Sequence, residues 1–154
     1  MLAVFDIDGV VADVGHRLHH LDRPKSWPDF FAAAGEDPLL PQGARLVADL
    51  ARGHEIVWLT GRPEWLRDTT SDWLARNGLP GSELHLRPGR DRRPARLYKV
   101  EVLRRLAPRG VGAFVDDDPE VISAAAAAGF AAVLADWVPR NATLREAQER
   151  LGRT

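Results

Sequence analysis

Leu2-Ala3-Val4-Phe5-Asp6-Ile7-Asp8-Gly9-Val10-Val11 is the stretch on which the reading of this chain turns. Leu2 to Phe5 is short and wholly apolar, as a buried strand is. It runs into Asp6, skips one residue to Asp8, and turns on Gly9. Side chains alternate along an extended chain, so the spacing predicts that Asp6 and Asp8 share a side. Two like charges that close repel, and the pair calls for a cation, a proton or both. A divalent metal engaged in phosphate chemistry is the simplest use of such a pair.

Outward from that strand, the pattern alternates strand and helix, which predicts an α/β fold: a parallel sheet of about five strands with helices on both faces. The strands are expected at 2–6, 55–60, 83–87, 111–116 and 131–134. Helices are expected from Pro41 or Gly43 to Arg52, over 64–77 with Gly78 as its cap, over 95–107, from Pro119 to Gly129, and over 142–151. In the 95–107 helix, Leu97, Val100, Leu103 and Leu106 read as the core stripe. Between residues 10 and 40 the pattern breaks into a short insert holding His16, Arg17, His19, His20, Trp27, Phe30 and Phe31. Ser26 is positioned to cap a short helix there, with Asp29 closing a capping box. Residues 1–154 read as a single domain, and a minimal cap or none leaves the site with an open mouth.

The 154 residues suffice for a real core, with 45% hydrophobic and 28% charged residues. Cysteine is absent, which excludes disulfides and thiolate metal sites. No apolar run approaches a membrane span and no signal peptide is legible, so a cytoplasmic location is expected. Net charge is −1, unevenly spread: residues 87–109 hold nine Arg or Lys against two acids, +7 in all, which leaves −8 elsewhere. Such a stretch fits either an anionic ligand or a solvated helix face, and for most of these arginines the solvated face is the reading adopted.

In a parallel sheet ligands bind at the carboxyl ends of the strands. Here those ends carry Asp6 and Asp8, then Thr60-Gly61-Arg62, then Asp116-Asp117-Asp118, with Lys99 on the helix before the fourth strand. Each is weak alone; in this order they form a constellation. It resembles the haloacid dehalogenase (HAD) superfamily of phosphatases, whose four motifs match Asp6-Ile7-Asp8-Gly9-Val10, Thr60, Lys99 and Asp116-Asp117. A narrower likeness is to the 3′-phosphatase domain of phage-type polynucleotide kinases. It is carried by His16-Arg17-Leu18, Trp27, Phe30-Phe31, Thr60-Gly61-Arg62, Arg87 and the turn Gly89-Arg90-Asp91-Arg92-Arg93. The resemblance implies a HAD-like Rossmannoid fold, and a metal held partly by the backbone carbonyl of Asp8. Two positions depart from the phage pattern. Ala95 replaces an acid one turn before Lys99, and Asp118 stands where Arg is frequent; both bear on substrate choice. No Gly-x-x-x-x-Gly-Lys-Ser/Thr loop is present, so no kinase half is expected here; no residue shows a separately encoded kinase or ligase partner.

The chemistry follows from the residue types. Asp6 is the candidate nucleophile, forming an aspartyl-phosphate. Asp8 is the candidate general acid for the leaving alkoxide, then the base for water. Mg²⁺ is the expected cofactor, with Asp6, Asp8, Asp116 and Asp117 as its candidate ligands. Asp117 is favoured for direct contact, and Asp116 for orienting Lys99. Thr60 and Lys99 are expected to hold phosphoryl oxygens, with Arg17, Gly61, Arg62 and Arg87 binding the substrate. Bland alternatives stand beside these: Thr60 as a helix cap, Lys99 as a solvated lysine, Arg17 as a bridge between carboxylates. The histidines lack a well-spaced fourth ligand for zinc. Trp27, Phe30 and Phe31 are read as packing the insert onto the sheet. The expected function is a Mg²⁺-dependent phosphomonoesterase acting on a DNA or RNA 3′ end. The alternatives are a HAD phosphatase for a small phosphometabolite or nucleotide, and a binding or regulatory module without turnover. Phosphoryl transfer between metabolites would need a larger closing cap.

Overall fold

Five strands, all parallel, form one sheet in the order β3-β2-β1-β4-β5 in this computed structural model, which describes residues 1–154. The strands are β1 (Leu2–Phe5), β2 (Glu55–Pro63), β3 (Glu83–Arg87), β4 (Val111–Asp116) and β5 (Ala132–Leu134). The helices are α1 (Trp27–Ala32), α2 (Pro41–Leu50), α3 (Arg67–Arg76), α4 (Ala95–Leu106), α5 (Pro119–Ala127) and α6 (Ala142–Glu146). The central strand β1 pairs Phe5 with Trp58 on one side and with Val115 on the other. Chain order reverses across β1, from β2 and β3 on one flank to β4 and β5 on the other. Such a switch point leaves a crevice at the strands' carboxyl ends.

Alternation along the strands sorts the core into two layers. Ala3, Phe5, Ile56, Trp58 and Val115 pack with Phe30, Phe31, Val47, Trp73 and Leu74 from α1, α2 and α3. Leu2, Val4, Val57, Leu59 and Phe114 pack with Tyr98, Leu103 and Val121 from α4 and α5. Phe30 and Phe31 thus tie the insert to the sheet, and Phe30 carries the Arg17 guanidinium 4.3 Å above its ring.

Several boundaries differ from the sequence expectation. β1 stops at Phe5, after which the Ile7 carbonyl accepts the N–H groups of Val10, Val11 and Ala12. Past that turn the two-residue alternation no longer applies, and Asp6 and Asp8 reach different partners. β2 runs on through Thr60, Gly61 and Arg62 because Pro63 still pairs with Arg87. The helix expected at 64 begins as a 3₁₀ turn over Glu64–Leu66, and the last helix widens into a π turn over Ala147–Leu151. Ser26 does cap α1, accepting the N–H of Asp29 at 3.3 Å. In α4 the buried residues are Ala95, Tyr98, Lys99, Val100, Val102, Leu103 and Leu106, so three of the four expected stripe residues are buried, while Leu97 is 48% exposed. All but Val100 follow the i, i+3, i+4, i+7 rule from Ala95, a stripe that carries Lys99 inward.

Candidate active site

Asp6 lies at the end of β1, held by its N–H to the Val115 carbonyl at 2.9 Å. From α4, Lys99 Nζ reaches Asp6 Oδ2 at 3.0 Å and Asp116 Oδ2 at 2.6 Å. The other oxygen of Asp116 accepts the N–H of Asp118 at 2.9 Å. Carboxylate oxygens of Asp6, Asp116 and Asp117 lie within 4.8 Å of one another. Gly9 permits this: its φ is +77°, and the Asp117 carboxylate fills the space a Cβ would need. Asp117 Oδ1 is buried without a partner. The group holds three carboxylates and one ammonium, a deficit of two positive charges in a buried place. An all-oxygen donor set, an orphaned oxygen and that charge deficit fit Mg²⁺, with Asp6, Asp116 and Asp117 as holders. The Asp8 carboxyl stands outside this set, being held elsewhere.

Burial, aided by Asp116 and Asp8 and opposed by Lys99, pushes the Asp6 carboxyl up to about 7. Burial raises Asp116 and Asp117 as well, and the carboxylates of Asp116 and Asp6 keep Lys99 protonated despite its burial. A carboxyl raised on folding leaves stability intact below its unfolded value of 3.8 and costs stability as pH climbs through about 7. Asp8 shifts the other way, and its contribution is lost only on acidification below its usual range. The metal-free protein is therefore expected to melt at a higher temperature at pH 5 than at pH 8. Mg²⁺ should raise the Tm more at pH 8, where the carboxylates are ionised. Calorimetry at both pH values, with Mg²⁺ and with EDTA, checks this.

Asp8 faces a different set. Its Oδ1 accepts from Arg62 Nη2 at 2.7 Å, Arg62 Nε at 3.1 Å and Arg17 Nη2 at 3.1 Å. Oδ2 makes no hydrogen bond within the protein, and Asp8 lines a cavity of about 150 Å³ at the strand ends. Arg62 and Arg17 outweigh burial and hold the Asp8 carboxyl below its ordinary value. Both arginines have fully buried side chains. Other N–H groups of the two go to Asp37, the Phe30 carbonyl and Thr70 Oγ1. The sequence expectation gave these guanidinia to the substrate; in the structure most of their donors are taken by protein acceptors, chiefly Asp8 and Asp37.

Thr60 is buried, and its Oγ1 accepts the N–H of Arg62 at 3.2 Å. It does not cap the following helix, which has no side-chain cap. Arg87 is buried over the Tyr98 ring, with Nη1 on the Arg93 carbonyl and Nη2 on the Thr154 carbonyl. The Thr154 backbone also occupies the space beside Gly61 that a Cβ would claim. Residues 138–154 therefore border the mouth, contributing Arg140, Asn141, Leu144, Gln148 and Thr154 to the cavity wall. The arginine-rich stretch makes ion pairs across its own surroundings: Arg93 with Asp91 and Glu101, Arg96 with Glu149, Arg109 with Glu55 and Glu83. Of the two departures, Ala95 is a buried core contact and Asp118 caps α5 through the N–H of Glu120. Asp37, which binds both buried arginines, was missed by sequence reasoning, as was Arg140, 3.3 Å from Asp118. An acid followed by Pro38 at the end of the insert was the only signal for Asp37.

No curated protein matches the sequence. The family model described as "PITM 1-3, LNS2 domain" matches residues 3–111, a span that takes in Asp6, Asp8, Thr60 and Lys99 and stops before Asp116. Among solved structures, a chain of a Pnkp1/Rnl/Hen1 complex superposes with a TM-score of 0.66 at 18% identity, covering 86% of this chain and 45% of that one. A haloacid dehalogenase-like family hydrolase from Streptococcus pneumoniae gives 0.62 at 14% identity, covering 97% and 91%. A class C acid phosphatase from Bacillus anthracis with tungstate bound gives 0.62 at 16%, covering 95% and 77%. At these identities the likeness is one of fold, and the fold is HAD-like. The chain spans less than half the length of the first two solved chains it matches. No helix is long and apolar enough to cross a membrane.

Proposed function

The chain belongs to the family of the LNS2 domain of PITM 1-3, and on that premise we propose that it is a Mg²⁺-dependent phosphomonoesterase working through an aspartyl-phosphate. The observation that carries the reading is the meeting of Asp6, Lys99, Asp116 and Asp117 at the carboxyl end of the sheet. Asp6 attacks phosphorus, and the bond to the leaving oxygen breaks. In the fraction of molecules in which it is protonated, a fraction its arginines keep small, Asp8 gives its proton to that oxygen through Oδ2, the oxygen those arginines leave free, and then takes a proton from the water that hydrolyses the acyl phosphate. Lys99 balances the charge that Asp6 and the phosphoryl group bring together, and the Thr60 hydroxyl proton is free to bond a phosphoryl oxygen. Mg²⁺ held by Asp6, Asp116 and Asp117 would supply charge neutralisation at the transferring oxygens. The proposed substrate is a nucleic-acid 3′-phosphate. The polynucleotide-kinase-like motifs support it, as does the likeness to a chain of an RNA repair complex.

A second reading, a small phosphoester substrate, is favoured by the modest 150 Å³ cavity and the bordering segment 138–154. A panel of 3′- and 5′-phosphorylated oligonucleotides and small phosphoesters, with Mg²⁺ and with EDTA, separates the two. The expected result is Mg²⁺-dependent phosphate release from the 3′-phosphorylated oligonucleotide and none in EDTA. Turnover of small phosphoesters alone would replace the first reading with the second. Phosphate binding without any turnover would make the chain a binding module.

A further inference from the structure

Asp37 touches no part of the cavity, yet four nitrogens converge on it. Arg17 Nε lies 2.8 Å and His16 Nε2 2.6 Å from Oδ1, while Arg17 Nη2 lies 2.9 Å and Arg62 Nη2 3.0 Å from Oδ2. Its side chain is fully buried, and its backbone is pinned: the carbonyl accepts Trp73 Nε1 at 2.8 Å. Each guanidinium is thus shared between Asp37 and Oδ1 of Asp8. A planar fork bound on both sides cannot swing, whereas a fork bound to one carboxylate can. The Asp8 carboxyl has no other hydrogen-bonding partner, so its orientation depends on these two forks. At rest two cations and two carboxylates also balance, which lets the cluster stay buried largely as ions, with Asp8 protonated in a small fraction of molecules.

We propose that Asp37 is a positioning residue of the site: through Arg17 and Arg62 it keeps Asp8 turned so that Oδ2 meets the leaving oxygen. The role rests on the phosphomonoesterase reading above. Asp37 itself exchanges no proton and contacts no substrate. Asp8 is also the base for the second step, so the first step, in which the phosphorus–oxygen bond breaks and the departing oxygen takes the proton of Asp8, is read separately through kcat/KM.

Leaving-group dependence tests this. A sugar hydroxyl leaves as a strongly basic alkoxide and needs the proton, whereas p-nitrophenolate leaves without it. Asp37→Asn should lower kcat/KM, which reports only the steps up to release of the leaving group, by about 10- to 100-fold on a 3′-phosphorylated oligonucleotide and by less than about threefold on p-nitrophenyl phosphate. A role in folding alone would depress both substrates alike. Equal loss on both, or loss on neither, overturns the proposal. Should Asp37→Asn fail to fold, Arg17→Lys keeps the charge and loses the fork, and the same selective loss is expected of it; equal loss there also overturns the proposal. A wild type that hydrolyses neither substrate overturns the phosphatase reading together with this role. A wild type that hydrolyses both, with unselective variants, overturns the role of Asp37 alone.

Discussion

Asp6→Asn is expected to yield a folded protein that releases no phosphate, a loss on the order of 10⁴-fold or more. The substitution keeps the shape of the side chain and replaces the attacking oxygen with an amide that cannot form a stable acyl phosphate. Stability should not suffer. Asp6 is buried beside two further carboxylates, and removing its charge relieves repulsion that Lys99 only partly offsets. In the metal-free protein Asp6→Asn should therefore melt no lower than the wild type at pH 8. Phosphate release and calorimetry on the same preparation check both halves. Hydrolysis at the wild-type rate would refute the nucleophile assignment.

Arg62→Met is expected to cost about 3–5 kcal/mol of folding stability, the range for removing one partner of a buried ion pair. The guanidinium binds Asp8, Asp37 and Thr70, and its side chain is fully buried. Its loss leaves two enclosed carboxylates with Arg17 as their remaining shared guanidinium. Arg109→Met removes an arginine that also binds two acids, Glu55 and Glu83, but at the surface, where solvent screens the pairs; little change is expected there. Urea unfolding of both variants gives the comparison. A small effect for Arg62→Met would mean that water reaches the cluster and screens it.

Most of the sheet could be read from local pattern, because its strands are apolar runs bounded by turn residues. Asp6, Thr60 and Asp116 could be placed for the same reason: each sits where such a run ends. Lys99 was harder. Leu97, Val100, Leu103 and Leu106 share a three-residue spacing, and that spacing suggested a stripe excluding the lysine. The stripe found begins at Ala95 and depends on what packs against α4. The partners of Arg17 and Arg62 were not legible, since Asp37 lies 20 and 25 residues away from them. The insert's short 3₁₀ turns have no hydrophobic period that would reveal its path. The contribution of residues 138–154 to the cavity wall was hidden too, because an amphipathic pattern shows that a helix packs but not where.

The central place of β1 ties activity to assembly. Its two neighbours are the next strand in the chain and one two strands further on, Phe5 meeting Trp58 on one flank and Val115 on the other. Loop closures that long are entropically slow, and topologies rich in them fold late and cooperatively. A nascent chain that has docked β2 but not β4 has its first aspartate in place and lacks the acids opposite. On the phosphatase reading, ion affinity and turnover would then arrive together, no earlier than the docking of β4.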